Sequence, residues 1–77
     1  MGKLSPISTR KFRKFLQYVG CEYSRIEGDH EIWKRDGLKR PVTFITNEKE
    51  VPPFHIRTNL KTLEMSSDEY LKIITKI

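Results

Sequence analysis

The side chains of this sequence that exchange protons near neutral pH are its two histidines, His30 and His55. His30 directly follows Gly28 and Asp29, a pair typical of a tight turn, so we expect it at the mouth of a β-hairpin. An imidazole there suits phosphodiester cleavage in RNA, which needs a base for the 2′-hydroxyl, an acid for the leaving oxygen and cations for the phosphate. Gly28 either brings the backbone close to a phosphate or supplies a positive φ. Spacing alone leaves open whether His30 is catalytic or an idle surface residue.

Other kinds of active site find little support in the sequence. The one cysteine, Cys21, excludes an internal disulfide framework and a cysteine-based zinc site, and we expect it to be a small buried hydrophobe. No HExxH pattern, glycine-rich phosphate loop or serine elbow is present, so neither a metal nor another cofactor is expected. His55 fits a polar surface residue or a minor helix cap. An acid–base pair of His55 with His30 stays open, because the sequence does not place the two side chains together. The lack of a long apolar run or a signal-peptide pattern predicts a cytoplasmic protein that does not engage a membrane.

The excess positive charge lies near the N-terminus. The formal net charge is +5, and residues 21–77 hold ten basic and ten acidic side chains. Residues 1–20 hold no acid and five basic side chains, Lys3, Arg10, Lys11, Arg13 and Lys14. A concentrated patch of this kind attracts polyanions, most commonly nucleic acid, although a basic surface that only aids solubility would show the same pattern.

Three helices are predicted from apolar periodicity and capping residues. The first runs from about Ser8, a suitable N-cap, to Val19, and Gly20 is placed to end it in a left-handed conformation. Its apolar stripe is Phe12, Phe15, Leu16 and Val19, which directs Arg10, Arg13 and Lys14 to the opposite side. The second helix runs from Pro53 to about Leu63. A third begins after a capping box, Ser66 with Glu69, and continues toward the end of the chain.

Three short strands are predicted between the first two helices. They are Glu22–Ile26, His30–Arg35 and Val42–Ile45, and Thr46–Val51 is expected to be a polar loop. The order α-β-β-β-α(-α) predicts a small two-layer α+β fold, and the length allows one domain over residues 1–77. The aromatic side chains of these strands either fill the core or stack on bases, and they are Tyr23, Trp33 and Phe44.

Two segments of the sequence carry a resemblance to a known family. The Ser-capped helix ending at Gly20-Cys21, followed by Arg25-Ile26-Glu27-Gly28-Asp29-His30-Glu31-Ile32-Trp33, is similar to the segment around the Gly-Ser-His motif of HicA (YcfA-like) toxins. The stretches Ile56–Lys61 and Met65–Leu71 resemble the C-terminal helices of longer members. The resemblance extends from about Lys3 to Ile77.

The resemblance implies a fold like that of double-stranded RNA-binding domains and a small ribonuclease that cleaves messenger RNA without a metal. It implies a HicB antitoxin as the protein partner, and it places the family's active histidine on His30. One departure is Asp29, which stands where the family has serine. A carboxylate there either holds the histidine tautomer and raises its pKa or repels the RNA phosphate, and Glu27 and Glu31 add to the negative charge around His30.

Three hypotheses follow. The first is a toxin-type endoribonuclease in which His30 acts as general acid or base and Arg10, Lys14, Gly28 and Lys34 bind RNA. The second is a non-catalytic RNA-binding module on the same fold, which would bind RNA in a salt-dependent way and never cut it. The third is a protein-interaction domain whose basic face docks an acidic partner.

Overall fold

The computed structural model describes residues 4–77, so Lys3, counted above in the basic N-terminal segment, lies outside the described residues. The elements are β1 (Ile7–Ser8), α1 (Thr9–Tyr18), β2 (Glu22–Glu27), β3 (His30–Lys34), β4 (Val42–Ile45), β5 (Glu50–Val51), α2 (Pro53–Leu63) and α3 (Ser67–Ile74). The predicted helices and the three predicted strands are all present, and most of their ends shift by a residue or less.

Strands β2, β3 and β4 form one antiparallel sheet with β3 in the middle. The register pairs His30 with Glu27 on one side and with Ile45 on the other. The Thr46 amide donates a hydrogen bond of 2.8 Å to the Asp29 carbonyl, which fastens the end of β4 to the turn between β2 and β3. His30 is therefore the first residue of a strand that is held from both sides.

The helices cover one face of this sheet, which we call the inner face. Strand alternation directs Glu31 and Trp33 of β3 to that face, where the Phe12 ring of α1 meets Phe44 of β4 edge-on with centroids 5.2 Å apart. The core cluster there is Ile7, Phe12, Phe15, Leu16, Cys21, Trp33, Val42, Phe44, Val51, Ile56, Leu60, Leu63 and Tyr70. Helices on one face of an antiparallel sheet confirm the predicted two-layer α+β fold of the double-stranded RNA-binding-domain type.

The sequence left open whether the aromatic side chains of the strands fill the core or stack on bases, and the structure gives a different answer for different residues. Trp33 and Phe44 are 3% and 1% exposed, so they fill the core and are not free to stack on bases. Tyr23 on the edge strand β2 is 52% exposed, although its ring also contacts Trp33. Cys21 is buried as predicted, and burial raises the pKa of its thiol.

The predicted helix caps are confirmed. The Ser8 hydroxyl accepts a hydrogen bond of 3.1 Å from the Lys11 amide, and the Ser66 hydroxyl accepts one of 3.1 Å from the Glu69 amide. Gly20 follows α1 with φ +89°, a conformation that favours glycine. These contacts satisfy backbone groups that a helix leaves unpaired at its ends.

The prediction that Thr46–Val51 is entirely loop was wrong. Glu50–Val51 forms β5, which pairs antiparallel with β1, and Val51 lies opposite Ile7. The backbone of the preceding segment is also paired, because the Thr9 amide donates to the Lys49 carbonyl at 2.9 Å. Two-residue strands are too short to show an apolar period, and their pairing partner is distant in sequence.

The hydroxyl of Tyr70 is buried without a hydrogen-bond partner in the part of the chain that the structure describes. The side chain is 1% exposed, and burial raises its pKa to about 12. Replacing Tyr70 with Phe should therefore raise the free energy of unfolding by about 1 kcal/mol in urea denaturation at pH 7. The exposed Tyr18 provides the control, because Tyr18→Phe should leave stability unchanged.

The same substitution has a consequence at high pH. A tyrosine whose folded pKa is raised above its unfolded value of 10 stabilises the protein below that value and loses this contribution as the pH rises toward about 12. Tyr70→Phe should flatten the alkaline loss of stability between those values. If Tyr70→Phe is instead less stable than the wild type at pH 7, the Tyr70 hydroxyl has a hydrogen-bond partner and the prediction is wrong.

Candidate functional site

His30 lies beside a tight turn that its neighbours define. Glu27 and His30 close the β2–β3 hairpin, so Gly28 and Asp29 are the two residues of its turn. Gly28 has φ +60°, as the first central position of a type II′ turn requires. A Cβ at Gly28 would meet no atom within 4 Å, so the position needs glycine for its backbone conformation and not for space.

The Asp29 carboxylate lies beside the His30 ring. Asp29 Oδ1 lies 3.0 Å from His30 Nδ1, and the two side chains are 57% and 51% exposed. The contact is electrostatic, because the two groups are not aligned for a hydrogen bond, and a carboxylate at this distance favours the neutral tautomer that carries its hydrogen on Nδ1. The Nε2 lone pair is then the position that can accept a proton from a bound substrate.

The negative charge near His30 is smaller than the sequence indicated. Glu27 is paired on the surface with Arg25, whose Nη2 lies 2.7 Å from Glu27 Oε1. Glu31 follows His30 in the chain, but strand alternation directs its side chain to the inner face. Glu31 therefore does not join the predicted cluster. Glu27 lies opposite His30 in the register but is paired with Arg25, and Asp29 is the carboxylate that contacts His30.

Glu31 instead anchors a buried polar network. Arg13 donates to it through Nε at 3.0 Å and Nη2 at 2.6 Å, Trp33 Nε1 donates at 2.9 Å, and Thr46 Oγ1 donates at 2.7 Å. Burial opposes ionisation of Glu31, but these hydrogen bonds and the Arg13 charge outweigh it and hold the pKa of the carboxyl below its ordinary value. The helical spacing predicted that Arg13 extends outward with Arg10 and Lys14. That prediction was wrong, because Arg13 is a structural residue bound to Glu31.

The other predicted RNA-binding residues fall on two sides of the sheet. Arg10 and Lys14 are exposed on α1, which covers the inner face. Lys34 is exposed on β3 and shares the outer face with His30, about 13 Å away at the rise of a strand. Gly28 adjoins His30 in the turn. The structure therefore places His30, next to Gly28, and Lys34 at opposite ends of β3 on the outer face, and it separates both from the α1 cations.

His55, whose position relative to His30 the sequence left open, lines the same cleft as His30. The cleft has a volume of about 240 Å³ and lies between the end of the β3–β4 pair and the start of α2. The exposed Phe54 ring also lines it and contacts the His55 ring with centroids 4.3 Å apart. The sequence did not single out Phe54, because its place in the cleft depends on how α2 lies against β4.

A larger cleft of about 690 Å³ lies at the opposite end of the sheet. Lys34 and Arg35 of the β3 end line it together with Lys39 and Arg40 of the following loop. Arg35 is partly engaged, because its Nη1 donates to the Val19 carbonyl at 2.9 Å. Two acids, Glu22 and Asp36, line the same cleft, so its cations exceed its acids and the cleft has a positive balance that suits phosphate groups.

Neither a metal-binding cluster nor a membrane-spanning helix is present in the part of the chain that the structure describes. No group of three or more His, Cys, Asp or Glu side chains within residues 4–77 is arranged to hold a metal ion. Among the same residues, no helix has the length and apolar character needed to cross a bilayer.

Comparison with known proteins gives one match. A family model described as "HicA toxin of bacterial toxin-antitoxin" matches residues 9–65, which run from the first residue of α1 to just beyond α2. No curated protein and no solved structure matches the chain.

Proposed function

The chain belongs to the HicA toxin family of bacterial toxin–antitoxin systems, and on that premise we propose that it is an endoribonuclease that cleaves messenger RNA in the bacterial cytoplasm. The observation that carries the proposal is the contact of 3.0 Å between Asp29 and His30, at a place where His30 is exposed and lines a cleft. A carboxylate that favours the hydrogen on Nδ1 leaves Nε2 available as a general base.

The reaction we propose is attack by the neighbouring 2′-hydroxyl. His30 Nε2 takes the hydroxyl proton, the 2′-oxygen bonds to phosphorus, and the bond from phosphorus to the 5′-oxygen breaks. The leaving oxygen takes a proton from an acid. The products are a 2′,3′-cyclic phosphate and a 5′-hydroxyl. General acid–base catalysis of this kind requires no metal, so we expect cleavage in EDTA.

RNA binding would use cations on the outer face first. Lys34 would hold a phosphate along β3 from His30, and the Gly28 backbone would lie beside the phosphate at the turn. Arg10 and Lys14 on α1 would bind a part of the strand that continues around the domain. Each exposed cation contributes a salt-dependent share of affinity. A HicB-like antitoxin would inhibit the toxin by occupying this surface.

One observation favours the second function, an RNA-binding module that does not cut. Arg10 and Lys14 lie on the helical side of the domain, away from the face that carries His30. RNA held only by α1 would not reach the imidazole. Such a protein would bind duplex or single-stranded RNA with an affinity that falls steeply with salt, and its RNA would remain intact.

The proposed function is tested by incubating the purified chain with a labelled, unstructured RNA in EDTA at several salt concentrations. We expect discrete fragments, formed more slowly as salt rises. If the chain binds RNA in a salt-sensitive way but forms no fragments, the ribonuclease hypothesis fails and the binding-module hypothesis is supported. Copurification of a small acidic protein with no detectable RNA binding would favour a protein-interaction domain.

Asp29 should assist cleavage by orienting His30. Replacing Asp29 with Ala should lower kcat by about 2- to 5-fold, a modest effect because the pair is exposed to solvent. Asp29→Asn keeps an oxygen that can accept from Nδ1–H, so it should lose less. The control is Asp68→Asn, which changes an exposed acid of α3 that lines none of the clefts described above. An increase in kcat in both Asp29 variants would show that the carboxylate repels the substrate.

A further inference from the structure

A second side chain that can transfer protons borders the cleft of His30. The cleft is lined by His30 and Thr43 of the sheet and by Phe54, His55, Thr58 and Asn59 of α2. In the residues that the structure describes, the His55 imidazole forms no side-chain hydrogen bond and no ion pair. His55 thus contributes a titratable group to the cleft without an evident structural role.

The position of His55 relative to His30 is fixed by a buried contact. The side chain of Asn59, 5% exposed, donates through Nδ2 to the Thr43 carbonyl at 3.0 Å. Thr43 pairs with Ile32 in the β3–β4 register, two residues from His30. Because α2 is fastened to β4 and β4 to β3, the two imidazoles are held by secondary structure and not by a loop.

His55 also lies between two clefts, as a group that acts on the phosphate between two nucleosides would have to. Besides the His30 cleft, it lines a second cleft of about 670 Å³ that Lys49 and Pro52 border. A scissile phosphate joins two nucleosides, so a group that acts on it needs space on both sides. One exposed aromatic side chain is ordinary on a protein surface, but Phe54, 62% exposed, contacts the His55 ring and lines the same cleft as His30, where a base can stack.

We propose that His55 is the general acid of the cleavage reaction and that Phe54 stacks on a base next to the scissile phosphate of single-stranded RNA. The inference rests on the proposed ribonuclease function. His30 takes the proton of the 2′-hydroxyl, and the 2′-oxygen bonds to phosphorus. The electron pair of the breaking bond goes to the 5′-oxygen, which receives the proton of protonated His55. Exchange with water then restores both imidazoles.

The test compares ordinary RNA with an analogue that has sulfur in place of the bridging 5′-oxygen at one site. A thiolate leaves without protonation, so it does not need the acid. His55→Ala should cut the oxygen substrate about 10²–10³-fold more slowly than the wild type and the sulfur substrate at nearly the wild-type rate. His30→Ala should be slow on both substrates. Thr62→Ala, which changes α2 outside the cleft, is the control, and thermal unfolding verifies each variant.

The outcomes separate the two proposals. If His55→Ala is equally slow on both substrates, or as fast as the wild type on both, His55 is not the acid and the ribonuclease function stands. If the wild type cuts neither substrate, the proposed function fails and this inference fails with it.

Phe54 has its own measurement. Phe54→Ala should raise KM for short RNA about 10-fold with little change in kcat, because base stacking is lost, and Phe54→Trp should restore KM. An unchanged KM in Phe54→Ala, or a Phe54→Trp variant no better than Phe54→Ala, would contradict the stacking role.

Discussion

An alanine at position 30 should lower the rate of RNA cleavage by about 10²–10⁴-fold, the usual contribution of a general base. The His30 side chain is 51% exposed and begins a strand, so its removal opens no cavity and should leave the fold intact. The measurement is kcat/KM for a labelled unstructured RNA in EDTA, with thermal unfolding of both proteins. RNA affinity should change little, because the phosphate-binding cations remain.

The matched control for His30→Ala is Gln17→Ala, which removes an exposed side chain of α1 that lines none of the clefts described above. That variant should cut RNA like the wild type. A folded His30→Ala protein with the wild-type rate would remove the catalytic role from His30, even if the chain proved to be a ribonuclease.

The second large effect concerns stability. Replacing Arg13 with Ala should lower the free energy of unfolding by about 2–3 kcal/mol, because it leaves the Glu31 carboxylate, 5% exposed, without its cation. The loss is smaller than the roughly 3–5 kcal/mol of a fully buried pair, since the Arg13 side chain is 37% exposed to screening water. In a domain of this size such a loss is a large part of the total stability. Urea denaturation at pH 7 measures it.

The exposed pair of Arg25 and Glu27 provides the comparison. Both side chains are about half exposed, so Arg25→Ala should cost no more than about 0.5 kcal/mol. Equal losses in Arg13→Ala and Arg25→Ala would show that burial of Glu31 adds nothing to the value of its ion pair.

The Glu31 network also predicts a dependence on pH. A carboxyl whose folded pKa lies below its unfolded value of 4.5 stabilises the protein above that value and loses this contribution as the pH falls. The wild type should therefore lose stability below about pH 4.5. Glu31→Gln, which cannot ionise, should be less stable at pH 7 and show a shallower loss in acid. An identical acid profile in both proteins would contradict the lowered pKa.

The helices could be predicted from the sequence because their signals are local. The apolar spacing of α1 and α2, the serine caps and the proline at the start of α2 all act within a few residues. The same holds for the β2–β3 hairpin, where Gly28 meets the backbone requirement of the turn. Contacts between distant segments could not be predicted, and β5 was missed because its partner is β1.

The candidate site was predicted only in part for the same reason. His30 was identified from its turn and from the family resemblance, whereas its relation to His55 depends on Asn59 reaching the backbone of β4. Arg13 was assigned to the outward basic face because helical spacing cannot reveal Glu31 across the sheet. Long side chains at the flank of an apolar stripe can serve either solvent or a buried partner, and only the tertiary structure decides.

The most direct test of the proposed mechanism is identification of the ends of the RNA fragments by mass spectrometry, with and without a 2′-deoxy nucleotide at the cleavage site. We expect 2′,3′-cyclic phosphate and 5′-hydroxyl ends in EDTA, and no cleavage at the 2′-deoxy position. Fragments with 3′-hydroxyl and 5′-phosphate ends, or cleavage that ignores the 2′-deoxy substitution, would contradict attack by the 2′-hydroxyl with His30 as its base.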